Sequence, residues 1–540
     1  MLGRRDPQRS FFDAQSLPHR VPNDSFYGRM GVVSNELFHD DDLAIMYCPD
    51  NGRPSLPPSL MSGVTLLQFH DDVSDAEAVA RTMFDQRWKV ALNLPLDFAG
   101  FDPSSLSNFR SRLVEHGQER YAFSHFVAVG REAGFIPDRV TLLTDTTNVK
   151  GAGAVQDTYT LLRKGIRKLL KVAGFHVPGK RQGFSPRTRT LVERYVDQDR
   201  KADIDWADPQ QRLRQLQVLV EDVETTLELA AEQSDNDEVR YLGWLLTKIL
   251  GDDIVTDEEG QSQIGQGTAP DRIISLTEPE MRHGRKSKAH RFDGFKVVVS
   301  SEQSSELILD IADVTASGSD GAHLMPTIER TEAEAEVTVE RAIGDGAFGS
   351  GKNRAACAER DDAIDLVSPL AKPSDPEVHK SAFQIDLEAQ TATCPQEHTV
   401  TGKPGPKQDG LPTWLFTFPR ASCEACPLFE RCVRSKKHGR SVRAGPYEAY
   451  LQEARARQQT EEFDAVYRRR PAVERKIAEL AMRGLRNTRY VGQSKRQLQR
   501  LWLGAAVNLK RLFTLAQAQN VDLGAILNHL GPPKVAPATL

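Results

Sequence analysis

The sequence has no long apolar run, few cysteines and no overall excess of positive charge. No stretch of its 540 residues reaches the roughly 18–20 apolar residues of a membrane-spanning helix, so we expect no membrane partner. It begins MLGRRDPQRS, without the apolar segment of a secretory signal. With 39% hydrophobic and 27% charged residues, the chain is predicted to be a cytoplasmic globular protein of more than one domain.

The positive charge is concentrated in one part of the chain. The whole sequence has 70 Lys and Arg against 75 Asp and Glu, a formal net charge of −5. Residues 401–511 contain 24 basic and 10 acidic residues, a balance of +14, which leaves −19 for the rest. This asymmetry indicates a polyanionic partner for the basic part, although a solvated basic helical face would give the same count.

Changes in residue pattern divide the chain into segments outside a central α/β domain. The front helices, one of which opens with a capping box at Ser74 and Glu77, either bind DNA or serve as a structural accessory. The predicted segments are an N-terminal helical domain at 20–130, a helical insertion and linker at 156–270, a cysteine-containing insertion at 373–445, basic C-terminal helices at 446–516 and a tail at 517–540.

The remaining segments, 138–155 and 271–372, contain the predicted strands. One strand ends at Asp145, two paired strands follow the helical insertion, a fourth strand ends just before Asp345, and a fifth comes after it. A helix with Glu474 follows later. This is the element order of an RNase H-like core, a mixed sheet with flanking helices, so the predicted fold class is α/β.

Three carboxylates stand in contexts that suit metal chemistry. Asp145 and Asp345 lie at strand ends, and Glu474 lies on the late basic helix. Magnesium prefers oxygen ligands, and two ions can serve the attacking and leaving oxygens of a phosphodiester. An aspartate alone at a strand end usually caps a turn, but the three together predict a catalytic site with magnesium or manganese.

The segment around Glu474 predicts contact with phosphates. Arg470 and Tyr467 lie four and seven residues before Glu474, so on one continuous helix all three share a face. The alternative is a helix stabilised by Glu–Arg pairs worth roughly 0.2–0.5 kcal/mol each. The predicted DNA-binding residues of this segment are Tyr467, Arg470, Arg475, Lys476 and Arg483.

Four of the six cysteines lie close together in the sequence. Cys423 and Cys426 have two residues between them, Cys432 follows, and Cys394 lies upstream. Four thiolates are enough for a closed tetrahedral zinc site, and a cluster of reduced thiols is the alternative. Either would stabilise the insertion rather than perform catalysis.

Two basic loops predict further phosphate contacts without sequence preference. Lys286 precedes the first strand of the predicted pair, and Lys436 and Lys437 follow the cysteines. Solvated loops of unrelated function are often basic as well.

These motifs together resemble the bacterial insertion-sequence transposases of the DDE superfamily. The spacing of Tyr467, Arg470 and Glu474 is similar to that family's signature around its catalytic glutamate, and the residues around Asp145 and Asp345 resemble the contexts of its two catalytic aspartates. The signature also has a lysine seven residues after the glutamate, where this chain has Ala481.

The resemblance implies a metal-dependent DNA transposase, a polynucleotidyl transferase. Asp145, Asp345 and Glu474 would hold the metal ions while transposon ends are cleaved and the freed 3′-hydroxyl is joined to target DNA. The implied partner is double-stranded DNA, and the pairing of two ends implies a homodimer on DNA. We therefore expect association with the nucleoid.

Two other classes of protein stay open. Ala481 is compatible with a catalytically inactive DNA-binding protein derived from a transposase. The cysteines and the front helices would suit a zinc-dependent transcription regulator, although the three carboxylate contexts argue against one. Magnesium-dependent nicking of DNA separates the enzyme from the inactive relative.

Overall fold

The computed structural model describes residues 1–5, 20–48, 51–177, 183–231, 235–286, 289–435 and 437–531. Within these residues, no helix is both long enough and apolar enough to cross a lipid bilayer.

The N-terminal part is helical, as predicted. Ser74 caps its third helix by accepting a hydrogen bond from the backbone N–H of Glu77 (3.2 Å). Asp85 then ends this helix and caps the next by accepting from the N–H of Arg87 (2.9 Å). The elements are α1 (Phe26–Val32), a 3-10 helix (Asp40–Met46), α2 (Pro58–Asp71), α3 (Asp75–Phe84), α4 (Gln86–Ala91), α5 (Ser104–Glu115) and α6 (Tyr121–Glu132).

The first strand and the helical insertion follow. Strand β1 (Arg139–Lys150) is longer than predicted, and the insertion after it packs around an apolar core of its own. Where a linker was predicted, β2 and β3 pair as a small hairpin. The insertion consists of α7 (Thr158–Val172), α8 (Pro186–Val192), a π-helical turn (Glu193–Asp197), α9 (Pro209–Ala231), α10 (Asp237–Asp253), β2 (Ile254–Thr256) and β3 (Ser262–Ile264).

A mixed sheet forms the centre of the molecule, which confirms the predicted α/β class. Its strand order is β4–β5–β1–β7–β8, and β6 also pairs with β5. β1, β7 and β8 are parallel, whereas β5 is antiparallel to β1 and to β6. The elements after the insertion are β4 (Arg282–Arg285), β5 (Arg291–Glu302), β6 (Ile308–Val314), a 3-10 helix (Asp320–His323), α11 (Leu324–Ala335), β7 (Thr338–Ile343), α12 (Gly351–Ala358) and β8 (Asp365–Val367).

The second insertion contains short strands and the cysteines, and helices complete the chain. The predicted tail from 517 begins inside α18 and continues into α19, while residues 532–540 lie outside the described residues. The elements are a 3-10 helix (Lys380–Ala382), β9 (Gln384–Asp386), β10 (Thr391–Thr393), β11 (Thr399–Thr401), β12 (Lys403–Gln408), β13 (Leu411–Thr417), α13 (Arg420–Glu424), α14 (Phe429–Cys432), β14 (Ser441–Ala444), α15 (Glu448–Arg457), α16 (Glu461–Tyr467), α17 (Pro471–Met482), α18 (Gln493–Gln519) and α19 (Leu523–His529).

Helix α18 joins the N-terminal helices to the sheet in one apolar core. Trp502 is fully buried in the cluster that also contains residues of α6 and β6. A Cβ atom at Gly504 would lie 2.8 Å from the ring of Phe123, so the glycine lets α18 approach α6 closely. The Asn508 side chain accepts from the N–H and donates to the carbonyl of Ile308, each at 2.8 Å, which fixes α18 against β6.

Candidate active site

The register of β1 and β7 brings Asp145 and Asp345 to the same edge of the sheet. Parallel pairing aligns Leu143 with Ile343. Each aspartate lies two residues beyond this aligned pair, and side chains two residues apart on a strand point to the same face. Asp145 stays within β1, opposite Val299 of β5, whereas Asp345 follows the last residue of β7.

A tight turn holds Asp345. Its carboxylate accepts a hydrogen bond from the backbone N–H of Ala347 (2.9 Å), and its carbonyl accepts from the hydroxyl of Ser368 (2.5 Å). Gly344 before it contacts the ring of Phe348 so closely that an added Cβ atom would lie 2.7 Å from that ring. The turn therefore directs Asp345 while its side chain stays partly exposed.

Arg470 links the glutamate to the first aspartate. One nitrogen of its guanidinium lies 2.7 Å from Glu474 Oε1, and the other lies 2.9 Å from Asp145 Oδ2. Pro471 begins α17 at a position where the missing N–H costs no helical hydrogen bond. Glu474 therefore lies in the first turn of α17, half-exposed and directed toward the end of β1.

The prediction of one continuous helix through Tyr467 is wrong. Tyr467 ends α16, and α17 begins at Pro471, because proline lacks the N–H that an unbroken helix would use there. The Tyr467 ring stacks on Phe463 with centroids 5.7 Å apart. It still borders the site: burial raises the pKa of Tyr467, Arg470 lowers it, and the Asp345 and Glu474 carboxylates raise it.

The electrostatics of the site leave its carboxylates short of positive charge. The pKa of Asp145 is raised to about 6: burial is the largest cause and Asp345 and Glu474 add to it, against the lowering effects of Arg470 and of the Thr146 backbone N–H. Carboxylates that disfavour each other's ionisation gain from a divalent cation, and their oxygens are the ligands that magnesium prefers. The donor set therefore fits a magnesium or manganese site.

The ligands are not yet arranged around a metal. Across the described ranges, no three His, Cys, Asp or Glu side chains are set as ligands of one ion. Arg470 instead lies between Asp145 and Glu474 and pairs with both. Metal binding would require this guanidinium to release the two carboxylates.

Three supporting residues were missed by sequence reasoning. The Thr146 hydroxyl donates to Asp320 Oδ2 (2.9 Å), and Lys296 Nζ lies 2.6 Å from Asp320 Oδ1. The backbone N–H of Thr146 in turn donates to the Asp145 carboxylate (2.8 Å). Asp320 begins a 3-10 helix far along the chain, and no spacing in the sequence connects it with β1.

A basic cleft opens beside these residues. It has a volume of about 620 Å³, and Lys296 lies in its wall together with Arg285 and Arg291. Because Lys296 also contacts Asp320, the cleft reaches the vicinity of Asp145. The predicted DNA-binding residue Lys286 is exposed next to this cleft, just beyond the end of β4.

Two predicted DNA-binding residues of α17 and its C-terminus do not face solvent. Lys476 is buried and lies 3.4 Å from Glu306 and 3.7 Å from Glu479, and burial lowers its pKa. Arg483 is also largely buried, where it donates to the carbonyl of His70 and pairs with Glu479. Both predictions are corrected, because these cations already have partners inside the protein.

The other predicted contacts differ in position. Arg475 is exposed and pairs with Glu306 at 2.9 Å. Lys437 is exposed in the loop before β14. Lys436 lies outside the described residues.

The four clustered cysteines come together in the second insertion. Cys394, Cys423, Cys426 and Cys432 all line a cavity of about 30 Å³. Burial raises the pKa of the Cys432 thiol, and the nearby thiols of the other three cysteines raise it as well. Within the described chain these sulfurs are not set as a ligand group for one metal ion, so the structure lends no support to zinc.

Two family models match separate parts of the chain. A model described as a transposase DDE domain matches residues 393–513, which include Glu474, Arg470 and the cysteines. A model described as a transposase domain matches residues 15–112, in the N-terminal helices. No curated protein and no solved structure matches the chain.

Proposed function

We propose that this chain, which belongs to the insertion-sequence transposases of the DDE superfamily, cleaves transposon ends and joins the freed 3′-hydroxyl to target DNA with the triad Asp145, Asp345 and Glu474. The observation that carries the proposal is that Arg470 pairs with both Asp145 and Glu474, while Asp345 lies near enough to contribute to the raised pKa of Asp145, which is about 6. A site that stabilised only the fold would have more of its negative charge neutralised.

We further propose that the central sheet is an RNase H-like core. In the order β6–β5–β1–β7–β8, an antiparallel run of strands is followed by parallel strands, with Asp145 within β1 and Asp345 just after the neighbouring parallel strand β7. Ligand sites in sheets with parallel strands commonly lie beyond the carboxyl ends of those strands.

The carboxylates would hold magnesium or manganese, which when bound supplies an activated nucleophile and stabilises the leaving oxygen of the phosphodiester. Asp345 is held in its turn by Ala347 and Ser368, so its carboxylate needs little reorganisation. Lys296 and Asp320 hold Thr146, whose backbone N–H orients Asp145. Arg470, once released from the carboxylates, can pair with a phosphate, for which the geometry of a guanidinium is suited.

The basic cleft beside Lys296 supports a path for DNA. Arg285 and Arg291 line it and Lys286 lies next to it, so phosphates on either side of the cleaved bond could be held there without sequence preference. Arg475 and Lys437 are exposed, and we propose that they add phosphate contacts at the periphery.

A second candidate function is a catalytically inactive DNA-binding protein. Ala481, in the position of the family's lysine, favours it. In the structure, Lys510 of α18 pairs with Glu479 of α17 at 2.7 Å, so a cation from another helix reaches this part of α17.

A nicking assay tests the proposal. The substrate is a plasmid carrying the DNA that flanks the gene, incubated with magnesium, with manganese or with EDTA. We expect metal-dependent nicking by the wild type, reduced below detection in Asp145→Asn, Asp345→Asn and Glu474→Gln. The matched control is Asp361→Asn, because Asp361 is an exposed carboxylate outside the site.

Two outcomes would overturn the assignment in different ways. If the triad variants nick DNA at the wild-type rate, the three carboxylates are not catalytic. DNA binding by the wild type without nicking in either metal would favour the inactive relative.

A further inference from the structure

An open cleft of about 840 Å³ lies in the helical insertion. It is bounded by α7, by the π-helical turn Glu193–Asp197 and by α9. π-helical turns are rare in proteins, and those that occur are often found at functional sites. Neither family model covers this part of the chain.

Positive charge is concentrated in the lining of this cleft. The whole insertion, residues 156–270, has 16 Lys and Arg against 20 Asp and Glu. The lining reverses this balance with five cations against the carboxylates Asp157 and Asp203. The five cations are Arg163, Arg194, Arg200, Lys201 and Arg212.

Some of these charges are fixed and others are available. Asp199 pairs with Arg163 at 2.7 Å, and Asp222 pairs with Arg194. Arg200, Lys201 and Arg212 are exposed and form no ion pair with any residue that the structure describes. Asp157 is engaged elsewhere, because it caps α7 by accepting from the backbone N–H (3.0 Å) and the hydroxyl (2.8 Å) of Thr160.

Aromatic rings accompany the cations. Trp206 is 39% exposed, and the Tyr159 ring packs edge-on against it with centroids 5.3 Å apart. Tyr195 is buried in the wall, and its hydroxyl donates to Asp222 at 2.6 Å. An exposed indole beside free cations is the combination by which proteins bind single-stranded nucleic acid, since bases stack on the ring and phosphates pair with the charges.

The cleft is close to the candidate triad along the chain. Asp157 at its edge follows Asp145 by 12 residues, and 12 extended residues span at most about 40 Å. One strand of a duplex advances about 3.4 Å per nucleotide, so about 12 nucleotides bridge the same distance. The edge of the cleft therefore lies no farther from Asp145 than about 12 nucleotides of one DNA strand.

We propose that this cleft binds an unpaired stretch of the DNA on which the triad acts, with a base stacked on Trp206 and phosphates paired with Arg200, Lys201 and Arg212. The identity of the DNA rests on the proposed function, whereas the preference for single strands rests on the cleft itself. Such a contact would hold one strand apart from its complement within about 12 nucleotides of the reacting bond.

Binding to the full-length protein in EDTA tests this proposal without any cleavage. The probes are a fluorescein-labelled 12-nucleotide oligothymidine and a 12-base-pair duplex, followed by anisotropy across a range of salt concentrations. The cleft variant combines Arg200→Glu and Lys201→Glu. The control combines Arg187→Glu and Arg189→Glu, which reverse two exposed charges of the same insertion outside the cleft lining.

We expect the cleft variant to bind the oligothymidine at least about 10-fold more weakly than the wild type does. The slope of log affinity against log salt concentration should be smaller by about 1.4, the value for two phosphates on a single strand. The control should stay within about twofold of the wild type. Thermal unfolding curves that match the wild-type curve would show that both variants are folded. Equal losses in the two variants would overturn the proposal.

Trp206 provides a direct readout. Unlabelled oligothymidine should quench the tryptophan fluorescence of the wild type but cause less quenching in Trp206→Phe. Trp206→Ala should weaken binding about 5- to 150-fold through the lost stacking. Two results would contradict a single-strand site. One is quenching in Trp206→Phe as large as in the wild type, and the other is binding of the duplex at the cleft as strong as that of the oligothymidine. Because the assay contains EDTA, its result is independent of whether the triad cleaves DNA.

Discussion

The carboxylates within β1 and just after β7 and those beneath α18 differ in how their charge is balanced. At the candidate active site, Asp145 and Glu474 share the guanidinium of Arg470, and Asp345 lies close enough to raise the pKa of Asp145. Beneath α18, Arg496 pairs with Glu278 at 3.0 Å and with Asp313 at 3.1 Å.

In the second network each charged group has a partner of opposite charge. Arg500 also pairs with Asp313 at 2.9 Å, and the backbone N–H of Gly153 donates to Glu278 at 2.6 Å. The Arg496 guanidinium lies 3.9 Å from the ring centroid of Phe295. This network ties the return from the helical insertion to the sheet and to α18. A balanced buried cluster serves the fold, whereas an underbalanced one beside the central strands can receive a cation.

The largest effect on stability is expected from opening the balanced network. Arg496→Met would leave Glu278, which is fully buried, without its charge partner. We expect the free energy of unfolding to fall by about 3–5 kcal/mol, measured by urea denaturation. A loss below about 1 kcal/mol would show that the network does not hold the fold together and would break the comparison.

The opposite sign is expected at the candidate site. Asp145→Asn should raise the free energy of unfolding of the metal-free protein at pH 8 by about 1–3 kcal/mol, because it removes a carboxylate whose pKa is raised from 3.8 to about 6. The folded state holds this proton to a higher pH than the unfolded state. Stability of the wild type should therefore fall as pH rises from about 4 to 6 because of this group.

Urea denaturation in EDTA at pH 8 and at pH 4 checks this sign. The gain from Asp145→Asn should be much smaller at pH 4, where the folded state holds the proton and the unfolded state, with a pKa of 3.8, holds it part of the time. Asp313→Asn is the matched control, and it should destabilise the protein because Asp313 pairs with both Arg496 and Arg500. Destabilisation by Asp145→Asn at pH 8 would contradict an underbalanced site.

The smallest effect is expected from an exposed cation near the site. Arg475 is 63% exposed in its pair with Glu306, so Arg475→Ala should change the free energy of unfolding by less than about 1 kcal/mol. The Arg475→Ala variant should bind DNA of unrelated sequences more weakly by the same factor. The slope of its log affinity against log salt concentration should be smaller by about 1. An unchanged slope, measured by anisotropy, would exclude a phosphate contact at Arg475.

Local signals in the sequence predicted much of the site and of the sheet. Asp145 and Asp345 could be found because each follows an apolar strand pattern, and the Arg470–Glu474 pair because its spacing is that of one helical turn. The capping residue Ser74 was likewise predictable. These features depend on neighbours within a few residues.

Features that depend on distant residues were not predictable. Nothing near Asp320 in the sequence indicates that it would bond Thr146, 174 residues earlier. Lys476 was predicted to contact DNA because it is basic, but its side chain is buried and pairs with Glu306 from another segment. The cleft around Trp206 was missed because its cations come from separate elements of an acidic insertion.

Manganese binding, followed by electron paramagnetic resonance on the full-length protein without DNA, tests the underbalanced triad most directly. We predict a site that is lost in Asp145→Asn, Asp345→Asn and Glu474→Gln, is kept in Asp361→Asn, and weakens as pH falls through about 6, where Asp145 gains its proton. Manganese binding that is unchanged in the three triad variants would contradict the assignment of these carboxylates as the metal site.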